Sequence, residues 1–201
     1  MLFSDAGKAV RFDENDVRPM GRTARGVRGM NLGEGHQVIA MLVAPAEAAE
    51  GAEAVVVDEN GLAIPSSVLT ATENGFGKRT PIGEYTRHGR GTKGMIAIQT
   101  TERNGKVVAA ALVSPEDQIM LITTGGILVR TRVSEIREMG RATQGVTLIN
   151  VDEGTRLSGL QRIAESDSDD ENDLDDGEDG EGGDVSADPA VDSNSEEAGD
   201  A

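Results

Sequence analysis

Four residues with fixed spacing occur three times in this chain. Arg11, Gly21, Arg22 and Gly26 return as Arg79, Gly89, Arg90 and Gly94, and again as Arg130, Gly140, Arg141 and Gly145. A chain that repeats itself in this way is built from like units that bury their faces against one another, not around one irregular core. The step from Arg79 to Arg130 is 51 residues and that from Arg11 to Arg79 is 68, so 17 residues are inserted between the first two copies.

The flanks match as well. Each copy opens with a turn ending in Gly four residues before its first Arg: Asp5-Ala6-Gly7, Glu73-Asn74-Gly75 and Thr124-Gly125-Gly126. Six residues after that Arg stands a large side chain, Val17, Tyr85 or Ile136, which predicts a packing role for the one tyrosine. Each copy closes with two apolar strands about a turn: 27–32 then 37–43, 95–98 then 106–113, and 146–151 then 156–160. Short runs of Val, Ile, Leu and Thr broken by Gly or by Asn60-Gly61, Asn74-Gly75 and Asn104-Gly105 predict antiparallel hairpins. In one hairpin, 118–133, the two-residue strand period puts Arg130 and Arg132 opposite Val129 and Thr131. The expected fold class is all-β, with about three propeller-like blades of four antiparallel strands that do not close a ring. Met1-Leu2-Phe3 already reads as strand, which predicts the end of a longer protein.

Charge divides the chain. The last 36 residues, 166–201, hold 16 of its 36 Asp and Glu and no Lys or Arg, so they cannot form a core and read as a disordered acidic tail. That leaves 20 acids against 19 bases in 1–165. Segment 44–67 carries Glu47, Glu50, Glu53, Asp58 and Glu59 with no base, and reads as an acidic insertion loop whose piece 45–54 is a candidate surface helix. The three repeats are therefore mildly basic. The absence of cysteine rules out disulfide staples and thiolate metal sites. No apolar run nears the roughly 20 residues that span a bilayer, so the expected location is cytoplasmic with no membrane partner. Three Phe, one Tyr and no Trp supply few stacking platforms, so any nucleic-acid contact should go to phosphates.

Gly21-Arg-Thr-Ala-Arg-Gly-Val-Arg-Gly29, the stretch from Leu69 through Asn74-Gly75-Phe76-Gly77-Lys78-Arg79 to Thr80, Thr101-Glu-Arg-Asn-Gly105, and Arg130-Thr-Arg-Val-Ser-Glu-Ile136 with Gly140-Arg-Ala-Thr-Gln-Gly-Val146 carry a resemblance. They resemble the last blades of the bacterial DNA gyrase A C-terminal domain, over roughly 1–43 and 68–165. The resemblance implies a β-pinwheel of about six blades, here with blades at 1–43, 68–113 and 114–165, the insertion at 44–67 and the tail at 166–201. It further implies that a basic outer rim wraps duplex DNA for a nucleoid-associated A2B2 holoenzyme. That holoenzyme, made with the gyrase A cleavage core and the gyrase B subunit, would use ATP and Mg2+ to introduce negative supercoils. The Gln-Arg-Arg-Gly-Gly-Lys-Gly box of the first blade and the regions bearing the DNA-attacking tyrosine are absent from this sequence. The chain alone is thus expected to cut nothing and to hold no cofactor. The rival readings are a topoisomerase IV C-terminal domain and a propeller fragment serving as a protein-interaction adapter.

Repetition also nominates the contact residues. Arg11, Arg79 and Arg130, with Arg22, Arg90 and Arg141, recur at equivalent places, and Arg25, Lys93 and Lys78 extend the set, with neutral Gln144 at the third copy. An Arg beside a Gly turn grips a phosphate while backbone N–H groups add partial positive charge, which suits sequence-independent binding. The competing reading is that these arginines brace blade against blade through acids such as Glu14, Glu84 or Glu135. Gly26, Gly94 and Gly145 read as positions needing tight corners or positive φ. The run 75–78 lacks the spacing and Ser or Thr of a Walker motif. His36 and His88 lack further ligands for zinc, and the tail's Asp175, Asp179 and Gly180 lack a calcium loop's closing Glu and helices. A tethered polyanion can also compete with DNA for the basic rim.

Overall fold

Among the described residues, eleven strands and three single-turn 3-10 helices make up the fold. They are β1 (Leu2–Ser4), β2 (Lys8–Val10), β3 (Val38–Met41), β4 (Ser67–Thr72), β5 (Phe76–Pro81), β6 (Met95–Ile96), β7 (Val107–Val113), β8 (Gln118–Thr123), β9 (Leu128–Arg132), β10 (Val146–Thr147) and β11 (Leu157–Ile163). The helical turns are Glu14–Asp16, Ile82–Glu84 and Val133–Glu135. A computed structural model describes residues 1–44 and 67–163, all within the unit Met1–Glu165. The expectations for the insertion, its candidate helix and the acidic tail lie outside the described residues, save at Ala44 and Ser67.

The strands form three antiparallel sheets, in the orders β3-β1-β2-β6, β10-β5-β4-β7 and β11-β8-β9. The fold is all-β in blades, as the repeated hairpins predict, but the fourth strand does not come from the same repeat. β6, from the second repeat, completes the first sheet, pairing Met95 with Ala9 and Ile96 with Lys8. β10, from the third repeat, completes the second sheet, pairing Val146 with Gly77 and Thr147 with Phe76. The physical reason lies in the frame's last glycine. Gly94 and Gly145 sit at φ +73° and +82°, and a Cβ there would lie 2.5 Å from the Ala9 carbonyl oxygen and 2.6 Å from that of Gly77. Only a residue with no side chain turns the chain onto its neighbour's hairpin at that distance. The expected strand at 27–32 is correspondingly absent. Among the described residues it makes one parallel bridge, Met30 to Thr92, and the third sheet has three strands.

Two apolar clusters lie between successive sheets. The first joins Phe3, Ala9 and Ala97 to Val68, Ile82 and Tyr85. Tyr85 is fully buried, with its ring edge-on to Phe3 at 6.0 Å between centroids, so the frame position nominated for packing does pack. The second joins Leu69 and Ala71 to Ile119, Leu121, Val133, Ile136 and Leu157. β4 serves both, because its two-residue period sends Val68 one way and Leu69 and Ala71 the other, and all six of its residues are buried. Each buried Val or Leu side chain among them contributes about 1.5–3 kcal/mol.

Polar contacts recur at the same boundaries. Val107 N–H donates to the Asp5 carbonyl at 2.9 Å and Leu157 N–H to that of Glu73 at 2.8 Å. Beside them the Lys106 ammonium meets the Asp5 carboxylate at 3.4 Å and the Arg156 guanidinium meets Glu73. Burial would raise the Asp5 carboxyl, but hydrogen bonds from the Gln37 N–H, His36 and Lys106 outweigh it and hold the group below the ordinary carboxylate range.

Candidate nucleic-acid interface

Every repeat leaves its second strand through a 3-10 turn and then runs a loop, which in the second and third repeats leads to the strand given to the preceding sheet. These loops, 17–28, 85–94 and 136–145, occupy equivalent places on successive blades and hold most of the candidate cations. The first has Arg18, Arg22, Arg25 and Arg28 and no acid; the second has Arg87, Arg90 and Lys93 and no acid; the third has Arg137 and Arg141 with Glu138. Gly, Pro and short polar residues keep the loops out of the ladders, and every basic residue among them except half-buried Arg141 is exposed.

The candidates separate into two groups. Arg11 is 7% exposed and donates through Nη1 to the carbonyls of Ile82 and Tyr85, both at 3.1 Å. Arg79 is half-buried and donates through Nε to the carbonyl of Ile136, the residue equivalent to Tyr85, at 2.7 Å. Lys78 is fully buried, and its ammonium donates to the carbonyls of Gly140 and, at 2.6 Å, Arg141. Burial pushes the Lys78 amine down to about 8; nearby Glu84 opposes this and Arg141 adds to it. All three are engaged in inter-blade contacts. The brace predicted as the rival reading exists, but its acceptors are backbone carbonyls at the end of the next blade's helical turn and loop, not Glu14, Glu84 or Glu135. A cation donating to backbone carbonyls meets their hydrogen-bonding needs without burying a second charge. Arg130, the third residue of this series, is exposed on β9 and donates to the Gln118 carboxamide.

The second arginine of the frame has a mixed role. Arg90 donates through Nε to the Asp16 carbonyl at 2.9 Å and through Nη1 to that of Arg28 at 3.1 Å. Arg141 donates through Nη1 to the Ile96 carbonyl at 3.2 Å, while its N–H meets the Glu84 carboxylate at 3.0 Å. Carbonyl acceptors orient a guanidinium without neutralising it, so Arg90 keeps its charge and spare N–H donors on an exposed surface. Arg22, Arg25 and Lys93 make no hydrogen bond or ion pair with described residues and are exposed.

Reasoning by repetition missed Arg18, Arg28, Arg87 and Arg137. Arg18 and Arg137 share a frame position at which the second copy has Thr86, and Arg87 stands where the other copies have Pro19 and Glu138, so the three-copy criterion passes over them. Charge counted over each whole loop would have found them. Arg87 is partly compensated by Asp13 at 3.0 Å. His36 lies 2.9 Å from the Asp5 carboxylate, and His88 is exposed. No cluster of three potential metal ligands occurs among the described residues, and no helix there is long and apolar enough to cross a membrane. Tyr85, with its hydroxyl pushed up by burial, faces no solvent.

Both the sequence and the blade fold have known counterparts. Residues 1–45, 66–114 and 117–164 match the family described as DNA gyrase C-terminal domain, beta-propeller. The chain is 49% identical to the DNA gyrase A protein of Pseudomonas aeruginosa over 85% of its length and 48% identical to that of Escherichia coli over 98%, while spanning 16% and 21% of those proteins. Among solved structures, a DNA gyrase A C-terminal domain superposes with a TM-score of 0.63 at 24% identity, covering 81% of this chain and 50% of that one. A DNA topoisomerase IV C-terminal domain does so with 0.67 at 23%, covering 81% and 45%. At these identities the superpositions speak for the fold alone. With the family match covering the greater part of the sequence in three blade-sized blocks, the chain belongs to the DNA gyrase C-terminal domain family of β-propellers.

Proposed function

We propose that this chain grips duplex DNA through the loops 17–28, 85–94 and 136–145, contacting phosphates without regard to sequence, as part of a gyrase A protein. The observation that carries this reading is the exposed charge of Arg22, Arg25 and Lys93, which pair with no acid among the described residues, beside Arg90 on loops that equivalent blades present at equivalent places. Guanidinium and ammonium groups at a regular spacing fit a polyanion whose charges are themselves regular, and phosphate contacts position a protein without reading bases. Successive blades would then turn the duplex as they turn themselves. Bending 20–30 base pairs by 40–90° costs about 1–6 kcal/mol, which several phosphate contacts per blade offset.

In the holoenzyme this grip would feed a wrapped segment to the gyrase A cleavage core. The gyrase B subunit, ATP and Mg2+ would belong to the larger assembly, and negative supercoiling would be its output. Topoisomerase IV domains share the blade fold, but the family match and the curated relatives carry the gyrase name. The experiment is fluorescence anisotropy with a random-sequence duplex as salt rises from 50 to 200 mM. Six phosphate contacts predict an affinity loss of about a thousandfold. A flat salt response, or binding to an acidic protein in preference to DNA, would instead favour the adapter reading.

A further inference from the structure

The first blade has a hollow where the second is plugged. In the second blade the Asn74 carboxamide donates to the carbonyls of Glu102 and Arg103 at 3.2 and 3.1 Å, pinning the turn before β7, and the Arg103 guanidinium lies 4.6 Å from the centre of the Phe76 ring. The offset of 68 residues between these two repeats puts Ala6, Lys8 and Gly35 at the equivalent places. Carboxamide, ring and guanidinium are all missing there, and a cavity of about 310 Å³ lies beside Ala6 and Lys8, at the lower end of volumes that hold small ligands. Its walls are the end of β1, the turn and start of β2, the loop before β3, and Lys93 from the second repeat. The second blade, with a described blade on each side, shows what closes this place, so the hollow follows from the residue types at these three positions.

Three cationic side chains line this space. Lys8 is half-buried at the start of β2, and neither its ammonium nor that of Lys93 makes a hydrogen bond or ion pair with described residues. His36 is the third. Its Nδ1 lies 2.9 Å from Asp5 Oδ1, and that buried carboxylate also accepts from the Gln37 N–H at 3.1 Å and faces the Lys106 ammonium at 3.4 Å. A carboxylate on Nδ1 fixes the orientation of the ring and leaves Nε2 for a ligand. Gly33 makes room for that far edge: a Cβ there would lie 3.2 Å from His36 Cδ2, and Gly33 itself lines the hollow. Asp5, already engaged by three donors, is not part of the lining, and neither is Glu34 on the turn between Gly33 and Gly35. Ala6 and buried Met30 add an apolar wall.

We infer that this hollow is a binding site for a phosphate ester. Two ammonium groups and an imidazole, brought to one cavity by three separate chain segments, match a tetrahedral oxyanion whose oxygens accept in several directions; a planar carboxylate is better served by the flat fork of one guanidinium. An anion facing Nε2 also favours the imidazolium, in which both ring nitrogens donate, so His36 links the ligand to Asp5. The apolar wall suits the sugar carbons that carry an esterified phosphate. A backbone phosphate of a duplex and a free nucleotide share this chemistry. The site does not depend on the loops gripping DNA, although Lys93 stands on one of them.

Nuclear magnetic resonance of the full chain tests this, because His36 and His88 are its two histidines and His88 does not line the hollow. Titration with thymidine monophosphate at low salt should move the His36 ring signals saturably toward those of the protonated ring and leave His88 in place, while thymidine, which lacks the phosphate, should move neither. Lys8→Phe, which sets the second blade's ring into the hollow, and Lys8→Met, which removes the ammonium alone, should each weaken binding about tenfold or more with the urea midpoint of the parent. A random-sequence duplex that moves His36 where the mononucleotide does not assigns the phosphate to the DNA backbone; movement by the mononucleotide alone assigns it to a free ester, and movement by both gives the site to either. His36 signals unmoved by both, moved equally by thymidine, or moved at the same concentrations in both Lys8 variants would overturn the proposal. Duplex binding by anisotropy with His36 unmoved by duplex and mononucleotide alike sinks this site and leaves the DNA grip standing; a mononucleotide response without duplex binding does the reverse.

Discussion

Replacing Gly145 by Ala is the sharpest perturbation of the strand exchange, because Gly26 provides an internal control with the same backbone and no neighbour among the described residues. Both residues sit at φ +82°, so an alanine at either costs about 1–2 kcal/mol for the left-handed conformation. At Gly145 the new Cβ also lies 2.6, 2.9 and 3.2 Å from the carbonyl oxygen, carbonyl carbon and Cα of Gly77. All three are backbone atoms of a strand fixed by β4, so relief requires β10 to leave β5. That removes a two-residue ladder, worth about 0.5–1.5 kcal/mol per hydrogen bond. Gly145→Ala should therefore cost about 3–4 kcal/mol and Gly26→Ala about 1–2, a difference of about 2 kcal/mol. Urea denaturation measures both. Equal losses for the two variants, or a larger loss at Gly26, would refute the reasoning that Gly145 is selected by its approach to Gly77.

Two further outcomes separate braces from exposed cations. Arg79→Ala strands the buried end of the second blade boundary by leaving the Ile136 carbonyl without its donor, and should cost about 1–3 kcal/mol in thermal or urea unfolding. Arg22→Ala, at an exposed position with no described partner, should stay within about 0.5 kcal/mol of the parent while weakening DNA binding. The Lys78 amine, lowered to about 8, binds fewer protons in the folded than in the unfolded chain between that value and its ordinary 10.5, so stability should rise with pH in that window. The gain between pH 8 and 9.5 is at most about 2 kcal/mol, and Lys78→Met should flatten it.

Much of this architecture is legible from the chain because a repeat carries its own comparison. The turn glycines, the hairpins and the packing position of Tyr85 follow from spacing alone. Strand exchange does not, since Met95-Ile96 and Val146-Thr147 have the same local pattern whether they pair within a repeat or with the one before. The decisive quantity is a 2.5–2.6 Å approach across a blade boundary, which no local pattern encodes. The nominated contact residues show the same limit. Strict recurrence selects positions under geometric constraint, and Arg11 and Arg79 recur because each must reach a carbonyl at the next blade's helical turn. A phosphate contact demands only charge near a surface, so Arg18, Arg87 and Arg137 are free to drift along their loops and escape a positional criterion.

The central claim is that exposed loop cations, not the recurring braces, meet DNA. Its most direct measurement is the dependence of duplex affinity on salt for the chain carrying Arg22→Gln, Arg25→Gln and Lys93→Gln together. Each lost phosphate contact removes about 0.9 from the slope of log affinity against log salt, so a fall of about 2–3 in its magnitude is predicted, with the folding midpoint unchanged. A slope equal to the parent's would contradict the account.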